Sequence, residues 1–406
     1  MKITFKENSP GLTDAPGFSA AGVGCDVRGS GGDRLDLGIV LSARPCTGAG
    51  VFTQNDVVAA PVALCRSLLS PSRTFHAIVV NSGNANACTG ARGAEDCAAM
   101  ASLAGRALSL PADSVFVAST GRIGRALPMD RIGKGIREAA LKVTRDSAGG
   151  HDFARAILTS DTRPKTVTAR IADGSRRFTV AGAAKGAGMI EPNMATMLAF
   201  LATDLAVPQA TLQATLTRSV QASFNRISVD GDMSTNDTVL LLANGESGAT
   251  VGDDADLLDA FHRAVGEICS RLARMIVADG ERIDHVVDVR IEGAATEEAA
   301  EKVARCIANS LLVKTSWYGN DPNWGRVVDA AGYARVGLEM EKLDMDYDEV
   351  PVLRAGVPAE ENLPRWKEVV AQREFALRLG LGMGKARFSL LTADLTEGYV
   401  DFNKSE

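Results

Sequence analysis

Apolar and polar positions along the first half of the chain alternate in short runs cut by glycine. Leu35 to Leu41, Ala77 to Val80 and Val115 to Ala118 read as buried strands. Between them Ala94 to Leu108, rich in alanine, reads as a helix packed closely on a sheet. The glycine-rich stretch Gly182 to Gly188 is expected to be a loop. The run MLAFLATDLAV after Thr196 reads as a buried strand, and Pro208 opens a helix with Leu212, Leu216, Val220 and Phe224 on one face. The clearest helix is Leu258 to Met275. Its apolar positions Leu258, Phe261, Val265, Ile268, Leu272 and Met275 recur in steps of three and four. His262 lies one residue off that stripe, as a histidine on the helix flank.

Beyond Gly280 the period changes. Val286 to Ile291 alternates like a half-buried strand, Gly293 turns, and Thr296 caps a helix opened by Glu297 and Glu298. The apolar run Leu311 to Val313 completes an expected strand-helix-strand unit. Glu339 to Arg365, charged and containing proline, is expected to run over the surface. These patterns place the chain in the α/β class.

A length of 406 residues favours two domains. The net charge of −6, with no basic stripe interleaved with aromatics, argues against nucleic-acid binding. No apolar stretch is long enough to span a membrane, and the N-terminus shows no secretory pattern. Seven cysteines without a CxxC pair fit reduced thiols in a cytoplasmic protein. The scattered histidines offer no metal-ligand spacing, so no metal is expected.

Five segments are richer in glycine, asparagine or acidic residues than plain scaffold needs. They are NSGNANACTG (81–90), STGRIG (119–124), FNRISVDGDMSTND (224–237), VADGE (277–281) and KTSWYGNDPNWGR (314–326). The acidic loop 224–237 lacks the terminal glutamate of a calcium loop and reads as a polar loop bordering a site. A Thr-Gly step after a strand, as at Thr120-Gly121, can aim a hydroxyl and a backbone N–H at one point, as an oxyanion hole requires. An ordinary turn reads equally well there. The Ala195-Thr196 step offers a second chemistry. Cleavage before Thr196 would free an α-amine, of pKa about 7.7–8.0, to act as base for the hydroxyl beside it. On the residues alone, an ordinary threonine in a loop entering a strand stays open.

Together NSGNANACTG, STGRIG, LTSDTRPK, KGAGMIEPNMATML, FNRISVDGDMSTNDT, DPNWGR and LTADLT resemble the ornithine acetyltransferase family of arginine biosynthesis. The motifs keep the family's order from about Gly17 to Asn403. The resemblance implies an αββα-type sandwich of the self-cleaving N-terminal-nucleophile kind (1–282), with a smaller C-terminal α/β domain (283–406) closing the substrate site. It implies cleavage between Ala195 and Thr196, the two chains staying together as an α2β2 assembly. Thr196 would then take the acetyl group from N-acetylornithine and pass it to glutamate, with Thr120 and Gly121 as the oxyanion pair. Thr159, Lys185, Thr196, Glu281 and Asn403 match its substrate-binding positions. No cofactor is implied, acetyl-CoA being a possible second acetyl donor.

The chain departs from the family pattern at Arg122, where a small aliphatic residue is usual, and at Arg282, Ile283, Asp284 and His285 after the glutamate. It also ends at Glu406, short of the family's final Ser or Thr ligand, with Ser405 at a different spacing. These changes keep two alternatives open: a specialised paralogue acting on another N-acylated amino acid, and an amidohydrolase or aminopeptidase of the same architecture.

Overall fold

The structure, a computed structural model, describes residues 1–174, 176–191, 197–252 and 254–404. The chain divides into two compact units. Unit 1 comprises Met1–Gly186, Asn193–Asn225 and Met233–Ile276, and unit 2 comprises Ala187–Pro192, Arg226–Asp232 and Val277–Glu406.

In chain order unit 1 holds β1 (Lys2–Glu7), β2 (Phe18–Val23), β3 (Leu37–Phe52), α1 (Ala60–Leu68), β4 (Phe75–Asn84), α2 (Gly90–Leu108) and β5 (Val115–Arg122). There follow α3 (Met129–Lys142), α4 (Ser147–Ala156), β6 (Lys165–Asp173), β7 (Arg176–Lys185), β8 (Leu198–Thr203), α5 (Gln209–Gln221), β9 (Thr238–Ala243) and α6 (Ala255–Ala278), whose last residues enter unit 2. The strands run in the order β1-β6-β7-β8-β9-β3-β4-β5, with β2 beside β3. Strand β3 joins two half-sheets. Its first part pairs with β2 and β4, its last part with β9, and the register shifts between Leu41 and Cys46.

The half-sheets meet face to face in one apolar core. Phe18, Phe75, Ile78 and Phe116 enter from one side, and Ala183, Phe200, Leu240 and Leu242 from the other. Phe75 and Phe116 stack with ring centres 4.1 Å apart. On the outer face of the first half-sheet, Ile39, Ala77, Val79 and Val117 pack with Met100, Ala104, Ile132 and Ile136 of α2 and α3. On the outer face of the second, a side chain at Gly182 would stand 3.0 Å from both Ile268 and Leu272 of α6. The layering is therefore helix, sheet, sheet, helix, the expected αββα sandwich.

Unit 2 holds β10 (Val286–Ala294), α7 (Glu297–Ala308), α8 (Leu311–Tyr318), α9 (Trp324–Gly332), β11 (Asp344–Tyr347), β12 (Val350–Arg354) and β13 (Val357–Pro358). It ends with α10 (Leu363–Val370), β14 (Glu374–Gly380), β15 (Ala386–Ala393) and α11 (Glu397–Asn403). Its sheet runs β13-β12-β11-β14-β10-β15, with Val303, Ile307, Trp317 and Val327 of the helices against Val289, Leu377 and Leu390. Thr296 caps α7 by accepting the N–H of Ala299 at 3.1 Å, as the sequence indicates.

Four expectations are corrected. Leu311 to Val313 is the first turn of α8, where Ser310 caps the N–H of Val313. Gly182 to Lys185 is the end of β7 and not loop; Gly182 lets α6 approach the sheet. Glu339 to Arg365 holds β11, β12 and β13, with Met345, Tyr347, Val352 and Leu353 buried in the unit 2 core. Helix α6 buries Leu257 and Ile276, while Leu258 and Met275 are half-buried.

Candidate active site

Of the expected site residues, unit 1 contributes Thr120, Gly121, Thr159 and Lys185. Thr120 and Gly121 lie at the end of β5, parallel to β4, with Thr120 level with Ser82 and Gly121 level with Gly83. Gly121 has φ +130°, and a Cβ there would stand 2.3 Å from the carbonyl carbon of Gly83 and 2.6 Å from the nitrogen of Asn84. Only glycine fits without parting the two strands. The asparagines of 81–90 and their neighbours hold this corner rigid. Asn81 donates to the carbonyl of Asn84 (2.8 Å) and accepts from Ser119 (2.6 Å). Asn236 donates to the carbonyls of Ala85 (2.6 Å) and Ser119 (2.9 Å).

Thr120 is buried, and its Oγ1 stands 3.4 Å from Nζ of Lys185 at the end of β7. An ammonium only donates, so Thr120 accepts from it and keeps its own O–H to donate elsewhere. Asp161 is the residue that sequence reasoning missed. Its side chain is fully buried, as is that of Lys165, which donates to Oδ1 at 2.7 Å. The same oxygen accepts the N–H of Gly186 at 2.6 Å, while Oδ2 accepts the N–H of Thr159 at 3.0 Å and lies 3.9 Å from Lys185. Burial alone would raise the Asp161 carboxyl. The two ammonium groups outweigh it and hold the group well below the usual carboxylate range. Asp161 thus fixes Thr159 and Lys185 with one carboxylate. A buried aspartate four residues before a buried lysine leaves no signature in the sequence beyond the LTSDTRPK run itself.

Ala195 and Thr196 lie outside the described residues. Met197, which follows them, donates its N–H to Oδ1 of Asp237 at 3.0 Å. Asp237 is fully buried, and burial pushes its carboxyl well up against the pull of that N–H and of Lys185.

Unit 2 contributes Glu281 and Asn403, 122 residues apart in sequence. Asn403, at the end of α11, donates to Oε2 of Glu281 at 3.0 Å and to the carbonyl of Tyr399 at 3.1 Å. Glu281 donates its N–H to the carbonyl of Ala187 (3.0 Å), and a Cβ at Gly188 would fall 2.4 Å from its carboxyl. Asp230 of the acidic loop accepts from the N–H groups of Met189 (2.6 Å) and Ile190 (2.8 Å) and from the hydroxyl of Tyr399 (3.2 Å). Arg282 is exposed over the ring of Phe402 and His285 is buried, its Nδ1 2.7 Å from the carbonyl of Gln372. Arg122 is exposed too. Of the tryptophans in 314–326, Trp317 is core and Trp324 packs against that core, so both are scaffold. Among the described residues no group of three His, Cys, Asp or Glu is placed to hold a metal, and no helix is long and apolar enough to cross a membrane.

A glycine-locked strand end beside a buried lysine-aspartate-lysine cluster, set in an αββα sandwich, marks unit 1 as an α/β fold with a built polar corner. The comparisons narrow this class. The chain belongs to the ArgJ family, whose pattern it matches over residues 19–405. The arginine biosynthesis bifunctional protein ArgJ of Symbiobacterium thermophilum is 42% identical over 396 residues, covering 97% of this chain and 98% of the relative. That of Thermotoga neapolitana is 41% identical over 393 residues, 95% of this chain and 98% of the relative. Among solved structures, ornithine acetyltransferase from Mycobacterium tuberculosis, crystallised with ornithine, is 39% identical and covers 47% of this chain and 98% of its own, with TM-score 0.43. ArgJ from Bacillus halodurans is likewise 39% identical, covering 48% of this chain and 100% of its own, with TM-score 0.45. The protein is an acetyltransferase of arginine biosynthesis.

Proposed function

We propose that the chain moves an acetyl group from N2-acetylornithine to glutamate by a ping-pong reaction through an acetyl ester on Thr196. The precursor first cleaves itself. The Thr196 hydroxyl adds to the carbonyl of Ala195, the peptide C–N bond breaks to leave an ester, and water hydrolyses that ester. The freed α-amine then accepts the hydroxyl proton as Thr196 attacks the acetyl amide. Ornithine leaves carrying that proton on its amine, and the amine of glutamate attacks the ester to give N-acetylglutamate. In both halves the negative charge falls on the carbonyl oxygen, which Thr120 O–H and the N–H of Gly121 would receive. Loss of one such donor typically costs about 2.7–4 kcal/mol of barrier stabilisation.

The observation that carries this reading is the Thr120-Gly121 step: a buried hydroxyl oriented by Lys185 as a donor, beside a glycine that no other residue can replace. Thr159 and Lys185, fixed by Asp161, are proposed to bind substrate together with Thr196, Glu281 and Asn403. The two cleaved chains are proposed to stay together.

Intact mass under denaturing conditions tests the first step. Wild type should give two fragments, the second starting at Thr196, and Thr196→Ala a single chain of 42.6 kDa. An uncut wild-type chain rules the mechanism out. Labelled acetylornithine then tests the second step, since label in acetate without any need for glutamate would mark a hydrolase instead. Acetyl-CoA and glutamate alone, compared with the Thr196→Ala background, decide whether acetyl-CoA is a second donor.

A further inference from the structure

We infer that Thr396 is a positioning residue: its hydroxyl ties α11 to the segment that follows Glu281 and so keeps Asn403 on the Glu281 carboxylate. The inference rests on the proposal that these two side chains bind substrate, and it names what sets the distance between them.

Packing does little to hold α11. None of its seven residues is buried; Gly398, Tyr399 and Phe402 are half-buried and the others exposed. The helix adds no residue to the unit 2 core. A helix this short does not persist alone in water, so polar bonds must place it. The Thr396 hydroxyl makes two of them. It accepts the N–H of Tyr399 at 3.0 Å, which caps the helix, and donates to the carbonyl of Arg282 at 2.6 Å. One oxygen thereby joins the first turn of α11 to the residue after Glu281. Gly398 permits the approach, since a Cβ there would already stand 3.1 Å from Cβ of Arg282.

The turn that carries Thr396 is itself anchored. Lys314 is buried and donates to Oγ1 of Thr392 at 3.2 Å and to the carbonyl of Ala393. Its own carbonyl accepts the N–H of Leu395 at 3.4 Å. Asp394 accepts the N–H of Asp284 at 3.0 Å and donates its own to the carbonyl of His285 at 3.3 Å. Thr396 is therefore a fixed point from which α11 extends. Farther along, the Tyr399 hydroxyl reaches Asp230, the Phe402 ring lies 5.4 Å from the Arg282 guanidinium, and Asn403 reaches Glu281. Removing the Thr396 hydroxyl frees the start of the helix and leaves the apolar core intact. The loss then falls on Asn403 and not on the fold of unit 2.

Steady-state acetyl transfer by Thr396→Val tests the inference, with Thr396→Ser as the conservative variant. Loss of a capping side chain shifts a helix equilibrium by roughly 2- to 30-fold. Thr396→Val should raise KM for acetylornithine and for glutamate by a factor in that range, with kcat and melting temperature little changed. Thr396→Ser should restore the wild-type KM. In an Asn403→Ala background Thr396→Val should add almost nothing, because it acts through Asn403. Hydrogen exchange supplies a readout that needs no turnover: the α11 amides should exchange faster in Thr396→Val, and those of β10 and β14 at the wild-type rate. An unmoved KM, a serine variant as impaired as the valine one, or a full effect without Asn403 overturns the inference. Should wild type transfer no acetyl group, the acyl-transfer reading fails separately. Faster exchange confined to α11, with weaker ornithine binding by calorimetry, would then uphold the role of Thr396, and no change in either would overturn it.

Discussion

Replacing Asp161 by asparagine tests the electrostatics of unit 1 with almost no change of shape. The wild-type carboxylate takes four donors: Lys165 and the N–H of Gly186 on Oδ1, and the N–H of Thr159 with Lys185 farther off on Oδ2. An asparagine side chain offers one carbonyl oxygen and one NH2. Whichever way the amide turns, its NH2 meets N–H groups, and the negative charge vanishes from between two buried lysines. The side chains of Asp161 and Lys165 are fully buried and Lys185 is 2% exposed, so solvent screening hardly softens the loss. Breaking one side of such a pair costs about 3–5 kcal/mol. That is a large share of the roughly 5–15 kcal/mol typical of a folded domain. Urea unfolding measures it, in a Thr196→Ala background so that the proposed cleavage does not divide the chain. Because folding lowers the Asp161 pKa, its stabilising contribution is present above the ordinary carboxylate range and fades as pH falls below it. The stability gap between the Asp161→Asn variant and its parent should therefore shrink in acid. Lys165→Met should cost a similar amount, and the double variant less than the two losses added. A loss under about 1 kcal/mol, or one that grows as pH falls, would refute the reasoning.

Gly121→Ala should lower acetyl transfer by at least about a hundredfold and lower the urea midpoint too, because its Cβ meets backbone and not a movable side chain; wild-type transfer in this variant would remove the step from the reaction. Gly188→Ala places a methyl 2.4 Å from the Glu281 carboxyl, which is the far end of a flexible side chain. It should therefore raise KM several-fold with little change in melting temperature, and an unchanged KM would detach Glu281 from substrate. Burial pushes the Asp204 carboxyl up to about 6, against the N–H of Thr179 that lowers it. A raised pKa gives stability that is full below about 4 and is lost as pH rises through about 6. Asp204→Asn keeps an acceptor for Thr179 and should flatten the pH dependence of the urea midpoint between those values by up to about 3 kcal/mol; an unaltered slope would count against the shift.

The parts of the fold legible in the sequence are those where one physical preference acts alone. Strands β4, β5 and β8 are short continuous apolar runs between turn residues, and α7 carries its own cap and acidic first turn. Helix α6 is legible in place and in its central face, with Phe261, Val265, Ile268 and Leu272 fully buried, but at its ends Leu257 and Ile276 are buried in place of Leu258 and Met275. Ala260 and Ala264 belong to its buried face beside Phe261 and Val265, and a pattern built on large side chains slides past them. The three residues 311–313 could be strand or helix by periodicity, and the serine before them decides for helix. Segment 339–365 misled through its charge. Most of its acidic and basic residues lie between short strands whose apolar residues are core, as with exposed Asp344 beside buried Met345, while Asp346 is buried against Arg354 and Arg378.

The site was legible only as far as backbone geometry writes itself into composition. Thr120-Gly121 stood out because the close approach to Gly83 permits no other residue, and Gly188 is glycine because Glu281 fills the space a side chain would take. The pairing of Glu281 with Asn403 was reachable only through resemblance, since nothing local ties positions 122 apart. Asp161 escaped for a different reason. A surface aspartate and lysine four apart look the same in sequence as a buried pair, yet a surface pair is worth about 0–1 kcal/mol and a broken buried pair costs several times that. Here burial is conferred by the ends of β6 and β7, where Lys165 stands level with Ala184, the residue before Lys185, and both lysines are buried. Two ammonium groups so placed repel each other unless a carboxylate lies between them. Asp161, 2.7 Å from Lys165 and 3.9 Å from Lys185, supplies that carboxylate, so Lys185 stands beside Thr120 with the help of a residue four positions before β6 begins.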